Sequence, residues 1–413
     1  MLALQHPIFI SRGGLTLKVS LQSKITLYPL SIQKDKKNYI VEEPISGDFF
    51  EMPQISVDAI QRLEKGEDLA DVEKAIKESY PDEEVDIIEF VEQLVELGLV
   101  QAVDGEPINR EIERANSRSR AGGFEWIPSW VGRLFFNRMM GKVYLLLLVL
   151  NIFIFVLNPE LFPHYMDIFL FDSMVMNMLI YLLISLALII IHEFGHILAI
   201  RSYDLPAKLS IGNRLIFIVF ETDLTSAWKL DPKKRNILYL AGMSIEQIIV
   251  FVSLGLMLVF PDANFVGILS IIVLDIFIKT MYQCCFYMKT DVYYVVENVT
   301  GCYNLMESGT EYLRSIFKKQ RVSWNEKQKI FQDNLNVIRM YSVFYIVGVF
   351  LTLLLATIYF LPQLYYAYTT IFSKIQNPHN SAAFWDAVAF LVQTIFIIGL
   401  LIYLMRKRRL DDK

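Results

Sequence analysis

Long apolar runs constrain this chain more than any other feature, because about 20 apolar residues is the length a helix needs to cross a bilayer. Six such runs can be read: Gly141–Asn158, Met174–Ile200, Arg235–Phe260, Ala263–Met288, Met340–Leu361 and Ala383–Met405. With 54% hydrophobic residues in 413, the expected fold class is a polytopic α-helical membrane protein with six transmembrane helices. The second run contains Ile191-His192-Glu193-Phe194-Gly195-His196. Residues four apart share a helix face, so His192 and His196 offer two imidazoles to one metal ion, with Glu193 beside it. A carboxylate at mid-bilayer costs about 2.5–3.5 kcal/mol on insertion scales, so Glu193 requires a partner or a function.

The basic residues set the expected orientation. Arg133, Arg138 and Lys142 precede the first run, Lys229, Lys233, Lys234 and Arg235 lie between the second and third, Lys318, Lys319 and Arg321 follow the fourth, and Arg406-Lys407-Arg408-Arg409 end the last. The alternate loops hold only Lys374, so the positive-inside rule places both termini in the cytosol and the protein in the cell's plasma or inner membrane. The HExxH then lies at the cytosolic end of its span. Met1 to Gly14 lack the pattern of a cleavable signal peptide. Cys284, Cys285 and Cys302 give no paired disulfide framework.

Ahead of the spans, alternating apolar residues at Leu15, Leu17, Val19 and Leu21 predict strands. A second strand pair is expected around Tyr39–Val41 and Asp48–Glu51, turning at Pro44-Ile45-Ser46-Gly47. Three short helices follow, carrying Val57, Ile60 and Leu63, then Leu69, Val72, Ile76 and Tyr80, then Ile87, Ile88, Val91, Leu94 and Val95 before Gly98. The expectation is a small cytosolic α+β domain of winged-helix type. Its third helix is acidic at Asp86, Glu89, Glu92 and Glu96, which argues against nucleic acid as a partner. Arg110, Arg114, Arg118 and Arg120 lead into Phe124, Trp126 and Trp130, a pattern that predicts a linker and an interfacial helix in contact with lipid headgroups. Past the second span, Lys208 to Phe220 reads as a hairpin turning at Gly212-Asn213, whose edge would hold a peptide extended beside the metal.

A catalytic zinc takes three protein ligands and leaves one position open. His6, His164 and His379 lie in the N-terminal segment or in loops on the other side, which leaves a carboxylate or a cysteine as the third ligand. Asp291, at the cytosolic end of the fourth span, is the preferred candidate. Asp275 has Lys279 four residues on as an ion-pair partner, and Cys284 and Cys285 are softer donors.

HEFGH on the second span, Ala241-Gly242-Met243-Ser244-Ile245-Glu246 on the third and Thr290-Asp291-Val292-Tyr293-Tyr294 after the fourth resemble the membrane-embedded site-2 protease (M50-type) family. The likeness is nearest to its peptide zinc metalloprotease branch, which serves ribosomally made, modified peptides. The resemblance implies Zn2+ held by His192, His196 and Asp291, with Glu193 as general base. Glu246 stands where the family has Asn and would orient substrate or water, or make a structural polar contact. Val292 stands where the family usually has Gly, which bears on the turn at Asp291. The run Tyr39–Phe50, with the helices and Leu97–Val100, resembles PqqD-like leader-binding domains, implying capture of a precursor's leader on a sheet edge.

The expected organisation is a PqqD-like domain over 1–105, a linker and interfacial helix over 106–140, a catalytic membrane core over 141–305, a cytosolic basic loop over 306–339, and two further spans with a basic tail over 340–413. The expected function is an intramembrane zinc endopeptidase cleaving a leader-containing precursor peptide, with an exporter as a further partner. A site-2-type signalling protease releasing a membrane-tethered regulator has the same chemistry. A non-proteolytic transporter or immunity protein would instead spread polar residues along several spans.

Overall fold

The computed structural model describes residues 8–12, 15–36, 38–108, 123–214, 217–302, 304–317 and 335–411. Arg110, Arg114, Arg118, Arg120, Lys318, Lys319 and Arg321 lie outside them. The chain divides into two compact units, residues 1–122 and 123–413.

The first unit is a small sheet-and-helix domain. Strands β1 (Ile8–Arg12) and β2 (Leu15–Val19) form one hairpin, and β4 (Ser31–Asp35), β5 (Asn38–Glu43) and β6 (Asp48–Met52) form a meander. The turn after β5 falls at the expected Pro44–Gly47. There the Glu43 carboxylate accepts from the backbone N–H groups of Ile45 and Ser46 at 2.8 and 2.9 Å, while Gly47 takes the left-handed φ of 71°. Helices α1 (Gln54–Glu64), α2 (Leu69–Ser79) and α3 (Ile87–Glu96) follow as the apolar spacing predicts. Asp68 and Asp86 cap α2 and α3 by accepting their first free N–H groups, and Gly98 ends the last turn at φ 75°. The chain returns through β7 (Val100–Val103), which pairs with both β8 (Glu106–Pro107) and β3 (Ile25–Leu27). Val41, Ile60, Leu63, Leu69, Val72, Val91, Leu94 and Leu99 form the core, each almost fully buried and contributing roughly 1.5–3 kcal/mol of transfer free energy.

The second unit is a polytopic helical membrane bundle. It opens with the short helix α4 (Ser129–Phe135), where Trp130 and Leu134 are exposed beside Arg133, and Trp126 is exposed just before it. Its inner face touches α6 (Met174–Arg201) through Gly132, where a Cβ would lie 2.3 Å from the Leu198 carbonyl oxygen, so only glycine permits that approach. Helix α5 (Arg138–Leu157) and the two-part segment α7 (Pro232–Tyr239) and α8 (Ala241–Val259) complete this side. Helix α8 packs against α5, α6 and α9 (Val266–Tyr282), with Leu188, Val250, Leu254, Val273 and Ile276 as the shared core. Helices α10 (Asp291–Thr300) and α11 (Leu305–Phe317) follow. After them a 40-residue rod comprises α12 (Leu335–Leu355), a π-helical turn (Ala356–Phe360) and α13 (Leu361–Lys374), and α14 (Ala382–Asp411) comes last.

Among the described residues five helices, not six, are long and apolar enough to cross a membrane. The fourth expected span, Ala263–Met288, is reduced to the 17-residue α9, because the chain must turn back at Gln283 to bring Asp291 to the site. The third, expected to begin at Arg235, begins at Ala241, since the segment bends at Leu240. The fifth does not end at Leu361. Pro362 removes an N–H from the ladder, but the wider π turn just before it accommodates the defect and the helix runs on to Lys374. Much of the expected basic loop 306–339 is helix, in α11 and the start of α12.

The N-terminus of α6 is anchored by Asp386 of α14. Its carboxylate accepts from the Ser173 hydroxyl and from the Met174 and Val175 N–H groups, and pairs with Lys374 at 2.8 Å. At the other end, the buried Arg201 donates to the carbonyls of Ile127, Leu205 and Glu125. A helix tied at both ends has little freedom to shift its HExxH face.

Candidate metal centre

The two histidines stand one turn apart on α6, and each ring is oriented through Nδ1. His196 Nδ1 donates to the Leu238 carbonyl at 2.8 Å, at the bend before α8, and His192 Nδ1 lies 3.1 Å from Oε1 of the buried Glu246. With Nδ1 of His196 so engaged, its Nε2 is left with a free lone pair. The Nε2 atoms face one another at 3.2 Å. Asp291, the first residue of α10, brings Oδ2 to 3.0 Å from His192 Nε2 and 3.6 Å from His196 Nε2. Burial alone would raise the Asp291 carboxyl, but the His196 and His192 imidazoles outweigh it and hold the group well below the usual carboxylate range.

Glu193 points to the side of this triad, with its carboxylate within 4.8 Å of the histidine nitrogens. Strands β9 (Lys208–Arg214) and β10 (Phe217–Asp223) form the hairpin after α6. The backbone N–H and the hydroxyl of Thr222 on β10 donate to Glu193 Oε2 at 2.8 and 2.9 Å. Since N–H groups on a strand alternate in direction, this contact turns the outer edge of β10 towards the site. The hairpin is therefore where the sequence places it, but its turn is not at Gly212-Asn213. Those residues lie within β9, paired with Val219 and Ile218, and Arg214 pairs with Phe217, which moves the reversal to positions 215–216, outside the described residues.

The sequence-derived residues His192, Glu193, His196 and Asp291 thus come together. Glu246 does too, with Oε1 3.1 Å from Nδ1 of the His192 ring. Asp275 stays apart, in an ion pair with Lys279 at 2.5 Å, as its i,i+4 spacing predicts. Cys285 is buried against Gly348 and Thr352, while Cys284 is exposed. Val292 imposes no strain, because the left-handed residue of this turn is Lys289 (φ 51°, ψ 54°) and Asp291 already opens a helix.

Three contributors were not singled out in the sequence, Gly242 standing there only within the run Ala241–Glu246. Gly242 on α8 lies under the His192 ring, where a Cβ would fall 2.3 Å from Nε2. Thr222 engages the glutamate. Gln283 contacts Asp291 through both ends of its amide. Gly242 and Thr222 are near the motif only in space, and Gln283 precedes Asp291 by eight residues with no pattern to distinguish it.

The His192-Glu193-His196 group can hold a metal ion, and the donors present fit one. Two imidazole lone pairs and a carboxylate oxygen converging within 3.0–3.6 Å form a locally electron-rich pocket that a cation relieves. Comparisons with family models, with curated proteins and with solved structures found no match.

Proposed function

We propose that the protein is a membrane-embedded zinc endopeptidase of site-2 protease type, which cleaves a ribosomally made precursor peptide near the cytosolic face. The observation that carries this reading is the convergence of His192 Nε2, His196 Nε2 and Asp291 Oδ2 at mutual distances of 3.2, 3.0 and 3.6 Å. Donors about 2.0–2.2 Å from a tetrahedral zinc lie about 3.3–3.6 Å from one another. Two His and one carboxylate, with Glu193 engaged by Thr222, match the donor set of a catalytic centre better than that of a closed structural one. Zinc bound there supplies a water of lowered pKa and a Lewis-acid pull on a carbonyl oxygen.

The chain's own residues do the rest. Glu193 accepts the proton of the attacking water as the new C–O bond forms, then delivers it to the amide nitrogen as the C–N bond breaks. Thr222 holds that carboxylate in the resting state. The edge of β10 offers backbone groups that would keep a substrate segment extended, a form in which its amides are accessible. His196 keeps the ligating tautomer through the Leu238 carbonyl, and Glu246 stands 3.1 Å from His192 Nδ1.

In this reading both termini are cytosolic, with α9, about 25 Å long at 1.5 Å per residue, serving as a sixth and shorter crossing. The N-terminal domain captures the leader by strand addition. The meander β4-β5-β6 supports this, since β4 and β6 are its outer strands and each pairs with β5 on one side. The test presents the protein in lipid vesicles with small precursor peptides encoded beside its own gene, with and without their leaders, and reads fragments by mass spectrometry. Cleavage confined to leader-bearing peptides is expected. Equal cleavage of both forms would remove leader capture, and intact peptides in every case would remove the peptidase assignment for those substrates.

A further inference from the structure

The loop between α9 and α10 has to return the chain sharply and still place one carboxylate oxygen to within a few tenths of an ångström. It spans Cys284–Thr290, contains a 3-10 turn at Phe286–Met288 and the left-handed Lys289, and its backbone hydrogen bonds join residues only three apart, as from Met288 to Cys285 and from Lys289 to Phe286. Gln283 and Asp291 flank it, and they are joined directly. Gln283 Nε2 donates to Asp291 Oδ2 at 3.0 Å, and the backbone N–H of Asp291 donates to Gln283 Oε1 at 3.0 Å. The Thr290 hydroxyl adds a third tie, donating to the Gln283 carbonyl at 2.8 Å.

The amide can take only one orientation here. Rotated by half a turn, it would set an oxygen against a carboxylate and an NH2 against an N–H, both repulsive. One side chain therefore fixes Asp291 at two points, main chain and carboxylate. The oxygen it holds is Oδ2, the one that meets both His192 and His196. Gln283 is too far along the chain from the HExxH to be part of that motif, and it donates no metal ligand itself.

We infer that Gln283 is the positioning residue of the metal centre: it aims Asp291 Oδ2 at the histidine pair and so sets the affinity of the site for its ion. This rests on the metal reading above and extends it to a residue outside the ligand set. A carboxylate at 283 could not donate to Oδ2 and would bring a second negative charge beside it. An apolar residue of similar length would fill the same space and hold neither end.

The experiment measures Zn2+ affinity of the full-length protein in detergent by competition with a chromogenic chelator. Wild type is compared with Gln283→Met and Gln283→Glu, with the visible spectrum of the Co2+-loaded forms recorded alongside. Both variants should bind zinc about 10–100-fold more weakly, with altered Co2+ bands and an unchanged elution profile and helical circular dichroism. A merely structural residue would lower thermal stability and leave the cobalt spectrum alone. If Gln283→Met fails to fold, Gln283→Glu, which is nearly isosteric, decides the matter. Zinc affinity within twofold of wild type and an identical Co2+ spectrum would overturn the inference while leaving the metal centre standing. No zinc bound by wild type would overturn both.

Discussion

Replacing Gly242 with alanine should deprive the protein of its metal while leaving it folded. A Cβ there would sit 2.3–2.5 Å from three atoms of the His192 ring, closer than any non-bonded contact allows. Helix α8 cannot retreat easily from α6, because it is also packed against α5 and α9. The ring must therefore rotate, which breaks its contact with Glu246 and withdraws Nε2 from His196 and Asp291. The loss in zinc affinity should be at least the roughly 10–100-fold that disturbed outer contacts cost, since here a ligand itself is displaced. Gly255→Ala is the control on the same helix: nothing lies within 4 Å of the added methyl, and metal content should match wild type. Metal analysis after dialysis against a chelator reads both variants.

Glu193→Gln should give the opposite pattern, with zinc retained and peptide cleavage lost. The amide keeps an oxygen to accept from Thr222, so the local arrangement survives, and no ligand is removed. What disappears is the proton acceptor, whose contribution is on the order of 10²–10⁴-fold in rate. Single-turnover cleavage of a precursor peptide, followed beside metal content in the same preparation, separates the two effects. Cleavage at the wild-type rate would assign the base elsewhere.

The parts of the site that were legible in the sequence are those governed by local geometry. A spacing of four on a helix puts His192 and His196 on one face whatever surrounds them. Asp275 and Lys279 pair for the same reason. Asp291 emerged from the shortage of further histidines and from the likeness of its flanking residues to a known motif, and the structure sets it against both rings. In the first unit, apolar periodicity carried α1 to α3 and Gly98 marked the end of the last, because such signals act within a few residues, whereas the Asp68 and Asp86 caps emerged only in the structure.

What escaped depends on contacts between distant segments. Gly242 gives no local sign that an imidazole lies under it, and Glu246, four residues on, shows its partner only once α8 is packed on α6. The hairpin illustrates a conflict between local preference and long-range pairing. Gly212-Asn213 is the better turn sequence, yet the register from Lys208–Asp223 to Arg214–Phe217 places both residues inside a strand. Thr222 at Glu193 anchors that register from outside the sheet. Hydropathy likewise overran the end of α9, since it registers how apolar Cys284–Met288 is and not that the chain must reverse there.

The most direct test of the account is the zinc content of the full-length protein purified in detergent, measured for wild type, His192→Ala, Asp291→Asn, Glu193→Ala and Asp275→Asn. About one zinc per chain is expected in wild type, Glu193→Ala and Asp275→Asn, and its loss in His192→Ala and Asp291→Asn. Wild type without zinc, or zinc unchanged in His192→Ala and Asp291→Asn, would contradict the account.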